Sequence, residues 1–238
     1  TSAWACWIRG KRCYGLGHQA AFKNLATPRP AKKDKLGEFI LKYYAPCSKA
    51  IGFHFTAYGA GVYPAVIRKA MRNTVSQNHG HYTVYLPAYS KNRIIKCFKT
   101  LDSFQWHIFS KEVDAPVSIG NLHLKPISSD GFAESLRTCA GLLTSAGFEG
   151  PAEALFLNKK LFVIPIDKQY EQLCNAAALA ELGVPCAQKL NSQGLDLIKN
   201  WLERGNPIKL TFPDATESII LKEILQVENE INTLAART

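Results

Sequence analysis

The densest run of residues that could do chemistry is Thr144-Ser-Ala-Gly-Phe-Glu-Gly-Pro-Ala-Glu153. Ser145, Ala146 and Gly147 are small enough to let a ligand approach the backbone. Pro151 has the fixed φ that suits a first helical turn, so a helix is expected to open there. The unpaired amides and dipole of such an N-terminus favour an anion, above all a pyrophosphate. Glu153, expected in that first turn, carries a carboxylate able to accept two hydrogen bonds from a ribose diol. The same residues also make an ordinary tight turn with an acid complementing the helix dipole, and composition alone leans towards that reading.

A second run, Asp167-Lys-Gln-Tyr-Glu-Gln-Leu-Cys-Asn175, follows an apolar stretch. Gln169, Gln172 and Asn175 recur every third residue along one side of a helix start. Neutral amides both donate and accept, which suits sugar hydroxyls and phosphate oxygens. A polar first turn capped by Asp167 explains the run equally well. In Gly59-Ala-Gly61 the third glycine of a dinucleotide fingerprint is replaced by Pro64, which disfavours such a site. Arg68 and Arg72, four residues apart, share a helix face that either meets phosphate or is solvated. His54 sits in an apolar strand, as a core residue or reaching a cleft. His79-Gly-His81 lacks a nearby third ligand and marks a turn before a strand. There is no G-x-S-x-G and no Walker loop, so ordinary serine-hydrolase and P-loop chemistry lose support.

The elements that must hold these residues follow a regular rhythm after residue 49. Strands are expected at Ile51–Phe55, His81–Leu86, Trp106–Phe109, Leu122–Lys125, Gly141–Leu143, Leu161–Pro165 and Val184–Ala187. Helices are expected at Pro64–Asn73, Lys91–Lys99, Asp130–Thr138, Pro151–Leu157, Gln169–Leu182, Ser192–Arg204 and Thr216–Glu230. Strands alternating with helices mean an α/β fold, a Rossmann-like and mainly parallel sheet with helices on both faces. Ligands of such sheets bind at the carboxyl ends of the strands, where both blocks above lie. Ahead of this, residues 1–27 read as a short helix or loop with Trp4 and Trp7 and a brief strand near Cys13–Leu16. Residues 28–38, with two prolines, three lysines and Arg29, read as a solvated connector.

Composition narrows the classes further. The 238 residues carry a net charge of +10, but residues 1–100 hold 17 Lys/Arg against only Asp34 and Glu38, and the remainder sums to −5. The basic part is expected to face something anionic: nucleic acid, lipid or a phosphorylated substrate. Seven scattered cysteines with no C-x-x-C pair make neither a disulfide framework nor a zinc site, and neither a metal nor a cofactor is expected. No apolar run approaches the ~20 residues of a spanning helix. The chain starts at Thr1 with Met71 its only methionine, and is expected to be an internal fragment.

Taken together, Thr144–Glu153, Leu161-Phe-Val-Ile-Pro165 and Gln169–Asn175 followed by Ala176–Leu179 resemble the C-terminal, donor-binding domain of GT-B glycosyltransferases. Within these the likeness is to family 28 enzymes such as the MurG-type transferase of peptidoglycan synthesis. Ser2-Ala-Trp-Ala-Cys6, Gly52-Phe-His-Phe55, Pro64-Ala-Val-Ile-Arg68 and Ala146–Ala154 are similar to a Bacteroidetes-type group of family-28-like transferases. The resemblance implies that the backbone at Ser145–Gly147 faces the donor diphosphate and that Glu153 holds the ribose. It places Gln169, Gln172 and Asn175 on donor sugar or phosphate and Ile127 in the loop against the base. Glu149 matches the narrower group without an assigned role.

Such enzymes open with an N-terminal domain whose Gly-rich loop ends in a histidine base. Ser2–Phe22 resembles the last part of that domain instead, so His18 is not that base. The expected division is therefore 1–48, a remnant of the acceptor domain and linker, and 49–238, the nucleotide-sugar domain. The implied activity is transfer of a sugar, of hexosyltransferase type, from a nucleoside-diphosphate sugar such as a UDP-sugar to the hydroxyl of a glycan or lipid-linked acceptor. The implied location is cytoplasmic, at the inner face of a membrane with peripheral contact and no nucleic-acid partner, and this chain alone is expected to be inactive. A sugar-nucleotide epimerase, a non-catalytic nucleotide-sugar binder and a nucleic-acid module are the alternatives.

Overall fold

The computed structural model describes residues 2–225. They fall into two compact units: one of residues 2–27, 33–66 and 211–225, the other of Pro28–Lys32 and Ile67–Leu210.

In the first unit, α1 (Ser2–Ile8) leads to a parallel three-stranded sheet of β1 (Tyr14–Gly17), β2 (Lys49–His54) and β3 (Val62–Pro64), in that order. The short helix α2 (His18–Ala21) lies directly on β2. A Cβ at Gly52 would stand 2.3 Å from the Ala21 Cα, so only glycine permits this approach. Asp34 caps α3 (Lys35–Tyr43), its carboxylate accepting from the Leu36 amide at 3.1 Å; the connector read over 28–38 is thus already helical at its end. Lys49 Nζ pairs with Glu223 at 2.7 Å, and Tyr63 donates its hydroxyl to the same carboxylate. The 48/49 boundary expected from sequence falls inside this unit, immediately before the strand that pairs with β1.

The second unit holds a six-stranded sheet. Its strands are β4 (His81–Tyr85), β5 (Gln105–Phe109), β6 (Val117–Ile119), β7 (Leu122–Lys125), β8 (Gly141–Thr144) and β9 (Lys160–Val163), in the spatial order β6-β7-β5-β4-β8-β9. All neighbours are parallel except the β6–β7 hairpin. The helices are α4 (Lys69–Arg72), α5 (Lys91–Phe98), α6 (Ser129–Thr138), α7 (Glu149–Phe156), α8 (Tyr170–Glu181) and α9 (Ser192–Arg204). Register sets Leu124, Ile108, Val84, Leu143 and Phe162 side by side across five strands, all in one buried core with Trp106 and Trp201. At Gly141 a Cβ would come within 2.9 Å of the Lys160 carbonyl oxygen and 3.0 Å of the Trp201 ring, so α9 packs there because no side chain intervenes. The opposite face differs: β4, β5 and β7 present His81, Thr83, His107, His123 and Lys125 on alternating positions.

The α/β fold and its mainly parallel sheet agree with the sequence reading, and several boundaries do not. Pro64 opens no helix: it ends β3, opposite His54, and only Lys69–Arg72 is helical. Proline's fixed φ suits a helix start, yet at an edge strand its missing N–H costs the ladder nothing, and here that context wins. Val184–Ala187 forms a single bridge, Val163 to Cys186, rather than a strand. The unexpected β6 is three exposed residues, Val117-Ser118-Ile119, too short for its alternation to stand out, and Gly120 at φ 61° turns the chain into β7. Of the helix expected at 216–230, Thr216–Ile220 is α-helical and Leu221–Leu225 continues as a wider turn; 226–230 lie outside the described residues.

Candidate functional site

Parallel pairing of β8 with β9 brings Thr144 opposite Val163 and delivers both motif blocks to one edge of the sheet. The loop after β8 is fixed from beneath. The Thr144 hydroxyl and the Ser145 amide both donate to the Tyr85 carbonyl at the end of β4, at 3.1 and 3.3 Å. Ala146 is fully buried, and its carbonyl accepts from the Asn175 side chain at 3.1 Å. Gly147 is different: a Cβ built on it would meet nothing within 4 Å, so its glycine leaves open space rather than satisfying packing.

Helix α7 starts at Glu149, two residues before Pro151, with Phe148 at the cap position. This corrects the expected start. The first-turn amides belong to Glu149 and Gly150, since Pro151 has none, and Glu153 lies one full turn inside the helix. Glu149 is exposed at this N-terminus, where its charge complements the dipole. Glu153 is only 4% exposed, and Arg68 grips it in two parallel hydrogen bonds, Nε to Oε1 at 2.5 Å and Nη2 to Oε2 at 2.8 Å. The pairing raises the Arg68 pKa above its ordinary value, chiefly through this hydrogen bond. Arg72 lies further along the same helix, its guanidinium 5.5 Å from the Phe156 ring. Both arginines of the expected pair therefore run along α7.

The three amides of the second block separate. Gln169 stands exposed just ahead of α8. Gln172 is buried and accepts from the Ile166 amide at 2.9 Å, bracing the loop that leaves β9. Asn175 is fully buried and braces the loop that leaves β8. Donor contact is expected for all three, and of them only Gln169 is exposed. Ile127 is half exposed after β7, just before Ser128 caps α6. Three strand spacings separate β7 from β8, about 14 Å along the same edge.

His54 belongs to the first unit and reaches no cleft. It is fully buried, packed among His18, Phe22, Phe55 and Tyr58, and its Nδ1 accepts from the Phe55 amide at 2.9 Å.

Sequence reasoning missed a polar cluster between α6 and the sheet. The His81 and His107 rings stack at 3.7 Å. The Ser135 hydroxyl lies 3.2 Å from His81 Nε2, 2.7 Å from the Thr83 hydroxyl and 3.0 Å from His107 Nδ1. Lys125 Nζ is 3.2 Å from the same Nδ1 and can only donate, so that nitrogen accepts and His107 is neutral. Burial pushes His81 down to about 4 and His107 down to about 3. Their placement on alternating strand positions was the signal that could have found them. Lys159 is a buried cation and donates to the carbonyls of Cys139, at 2.8 Å, and Gln77. It lines a cavity of about 500 Å³ with Ser76, Tyr82 and Pro207, at the amino edge of the sheet and away from both motif blocks. Among the described residues no group of three or more His, Cys, Asp or Glu is arranged to hold a metal ion.

A family model described as glycosyl transferase family 1 matches residues 49–204. Among solved structures, a glycotransferase of kitacinnamycin is similar at 19% identity and TM-score 0.42, over 60% of this chain and 40% of that one. The glycosyltransferase SnogD from Streptomyces nogalater is similar at 17% identity and TM-score 0.43, over 76% and 47%. The spinosyn forosaminyltransferase SpnP is similar at 12% identity and TM-score 0.49, over 97% and 72%. The chain thus spans less than half the length of the first two. No curated protein matches it.

Proposed function

The chain belongs to glycosyl transferase family 1, and we propose that it is the donor-binding part of a GT-B enzyme that moves a sugar from a nucleoside-diphosphate sugar to an acceptor hydroxyl. One observation carries this reading: the small-residue loop Ser145–Gly147 meets the N-terminus of α7 at the carboxyl edge of a parallel sheet, with the buried carboxylate of Glu153 one turn behind. In this reading the amides of that turn receive the diphosphate and Glu153 accepts from the ribose. Bidentate pairing engages one lone pair on each of its oxygens and leaves others for hydroxyl donors. Gln169 reaches the donor from the next loop and Ile127 lies against the base. Gln172 and Asn175 hold the two loops in shape.

The chemistry follows from positioning. The acceptor oxygen attacks the anomeric carbon, the bond from that carbon to the diphosphate oxygen breaks, and the helix N-terminus stabilises the charge left on the departing diphosphate. The group that takes the hydroxyl proton lies outside the residues assigned here, and in this reading the chain alone binds donor without turning it over. The family-28-like, MurG-type and Bacteroidetes-type resemblance supports a UDP-sugar of hexose type, a glycan or lipid-linked acceptor, and a cytoplasmic enzyme touching the inner face of a membrane. Calorimetric titration with UDP, then with other nucleoside diphosphates, tests the assignment. Saturable binding is expected; a folded chain that binds none of them overturns it.

A further inference from the structure

The cavity at the amino edge of the six-stranded sheet holds donors that the fold itself does not use. Its rim is exposed and made by Ser76, Asn78, Asn158 and Pro207. Its floor is buried: Tyr82 in β4, Cys139 ahead of β8, and Leu157 and Lys159 between α7 and β9. All of them belong to the second unit. A volume of about 500 Å³ is that of a small-molecule site. Lys159 is only 3% exposed, and its ammonium uses two of its three N–H donors on the carbonyls of Gln77 and Cys139. Among the described residues no carboxylate pairs with it, and no acid lines the cavity. Burial without a counter-ion holds its pKa below the ordinary lysine value. Lys160 brings a second positive charge to the same cavity, its Nζ donating to the Leu202 carbonyl at 3.2 Å. The Tyr82 ring is fixed by Trp201 at 5.2 Å and Trp106 at 5.5 Å. Its hydroxyl bonds to no described residue and is not sealed from solvent. Support of the two neighbouring loops accounts for two protons of Lys159. It leaves the third, and the Tyr82 hydroxyl, without acceptors, which is rare for donors this deep.

We infer that this cavity binds a small organic anion, a carboxylate or a phosphate monoester, whose head group accepts from Lys159 and Tyr82 and whose body lies on Leu157 and Pro207. The donors select the head group: a neutral ligand leaves the buried charge unbalanced, and a cation meets two ammonium groups. The apolar part of the lining selects an organic body over a bare ion. The C-terminal end of α7 by itself disfavours an anion, but there the Leu157 carbonyl is already taken by the Ser76 hydroxyl at 2.9 Å, and two lysines oppose what remains. The cavity lies at the opposite end of α7 from the loop assigned to the diphosphate, so the inference stands or falls apart from donor binding.

The test is calorimetric titration of the full chain with benzoate, phenyl phosphate and neutral benzamide at constant ionic strength. Saturable binding of at least one anion is expected, at least ~tenfold tighter than benzamide, and the tighter of the two identifies the head group. Binding should persist in excess UDP, which separates this cavity from the diphosphate loop. Tyr82→Phe removes only an unpartnered hydroxyl, so it should melt no lower than the native chain and weaken the anion by ~fivefold or more. Lys159→Met should abolish binding; it also strands two carbonyls, so Tyr82→Phe decides the matter if that variant does not fold. Failure of both anions to bind overturns the inference. So does equal binding of benzamide, displacement of the anion by UDP, or undiminished binding by the folded phenylalanine variant.

Discussion

Arg68 and Glu153, 85 residues apart, are joined by two parallel hydrogen bonds that fix the segment entering α4 against the second turn of α7. The relationship is unequal. Arg68 is half exposed and can return to water, whereas Glu153 is buried and has nowhere else to place its charge. Glu153 is thereby held at one position, which any role in holding a ribose requires.

Arg68→Ala should therefore cost more than the pair itself contributes, because it strands a buried carboxylate. A loss of about 2–3 kcal/mol is expected, at or just below the ~3–5 kcal/mol of a fully buried broken pair because Arg68 is partly solvated. Glu153→Gln should cost less, since the amide keeps one hydrogen bond and carries no charge. Urea unfolding of the two variants and of the double variant measures the coupling. Equal, small losses for both single variants would mean that the pair is a surface contact of no consequence. In the ligand arm, UDP is expected to protect the chain against heat, and Glu153→Ala to remove that protection.

The buried imidazoles make the second unit sensitive to acid. His81 and His107 are held far below the ordinary histidine range, to about 4 and about 3, mainly by burial. The unfolded chain therefore takes up protons near pH 6.5 that the native state refuses until much lower pH. Their contribution is complete above pH 6.5 and falls away progressively as pH drops towards 4. For one such group the loss at pH 5 is about 2 kcal/mol; the stacked pair is coupled, so its losses do not simply double. Lys125 and His123 from β7, Glu134 and Ser135 from α6, and nearby His79 and Lys159 share the environment. Urea midpoints at pH 7 and pH 5, compared with those of His107→Gln, check the origin: the variant should lose less stability between the two conditions. An identical pH dependence would place the effect elsewhere.

How far these features were legible in the sequence depended on the range of the interaction. The strands β8 and β9 stood out because their apolar runs answer to burial on both sheet faces, and the loops after them could be placed at the carboxyl ends of the strands from topology alone. Pro64 was misread because the local rule that favours proline in a first helical turn also fits an edge strand, and only pairing with β2 separates the two. Spacing of three put Gln169, Gln172 and Asn175 on one helix side. It could not tell that the side rotates from solvent at Gln169 into the interior at Asn175. The Arg68–Glu153 grip and the Ser135 hub of the histidine cluster join segments far apart in the chain, and no local pattern announces them.

Asn175 offers a test of loop support at a distance from any ligand. Its side-chain amide donates to the Ala146 carbonyl inside the protein, where a lost partner is not replaced by water. Asn175→Ala should cost about 1–3 kcal/mol, the penalty for an unsatisfied buried acceptor, and should also relax the loop after β8. Amide hydrogen exchange is the direct readout, with faster exchange expected over Ser145–Gly147 and little change in β5. Unchanged protection of that loop would show that the Tyr85 contacts suffice to hold it.

Gly147 separates function from stability. Its backbone has no left-handed φ to protect, and an added Cβ would meet no atom within 4 Å. Gly147→Val therefore has no packing to disturb, and unfolding free energy should stay within about 0.5 kcal/mol of the native value, as at other open surface sites. A ligand that needs the backbone there meets a branched side chain instead. If the diphosphate lies against this loop, UDP affinity should fall at least ~tenfold, a difference of about 1.4 kcal/mol, at constant stability. Paired thermal-unfolding and calorimetric measurements on the same preparation decide it. Undiminished UDP binding by a folded valine variant would move the diphosphate away from the N-terminus of α7, and a matched loss of stability and affinity would mean that the glycine serves the fold.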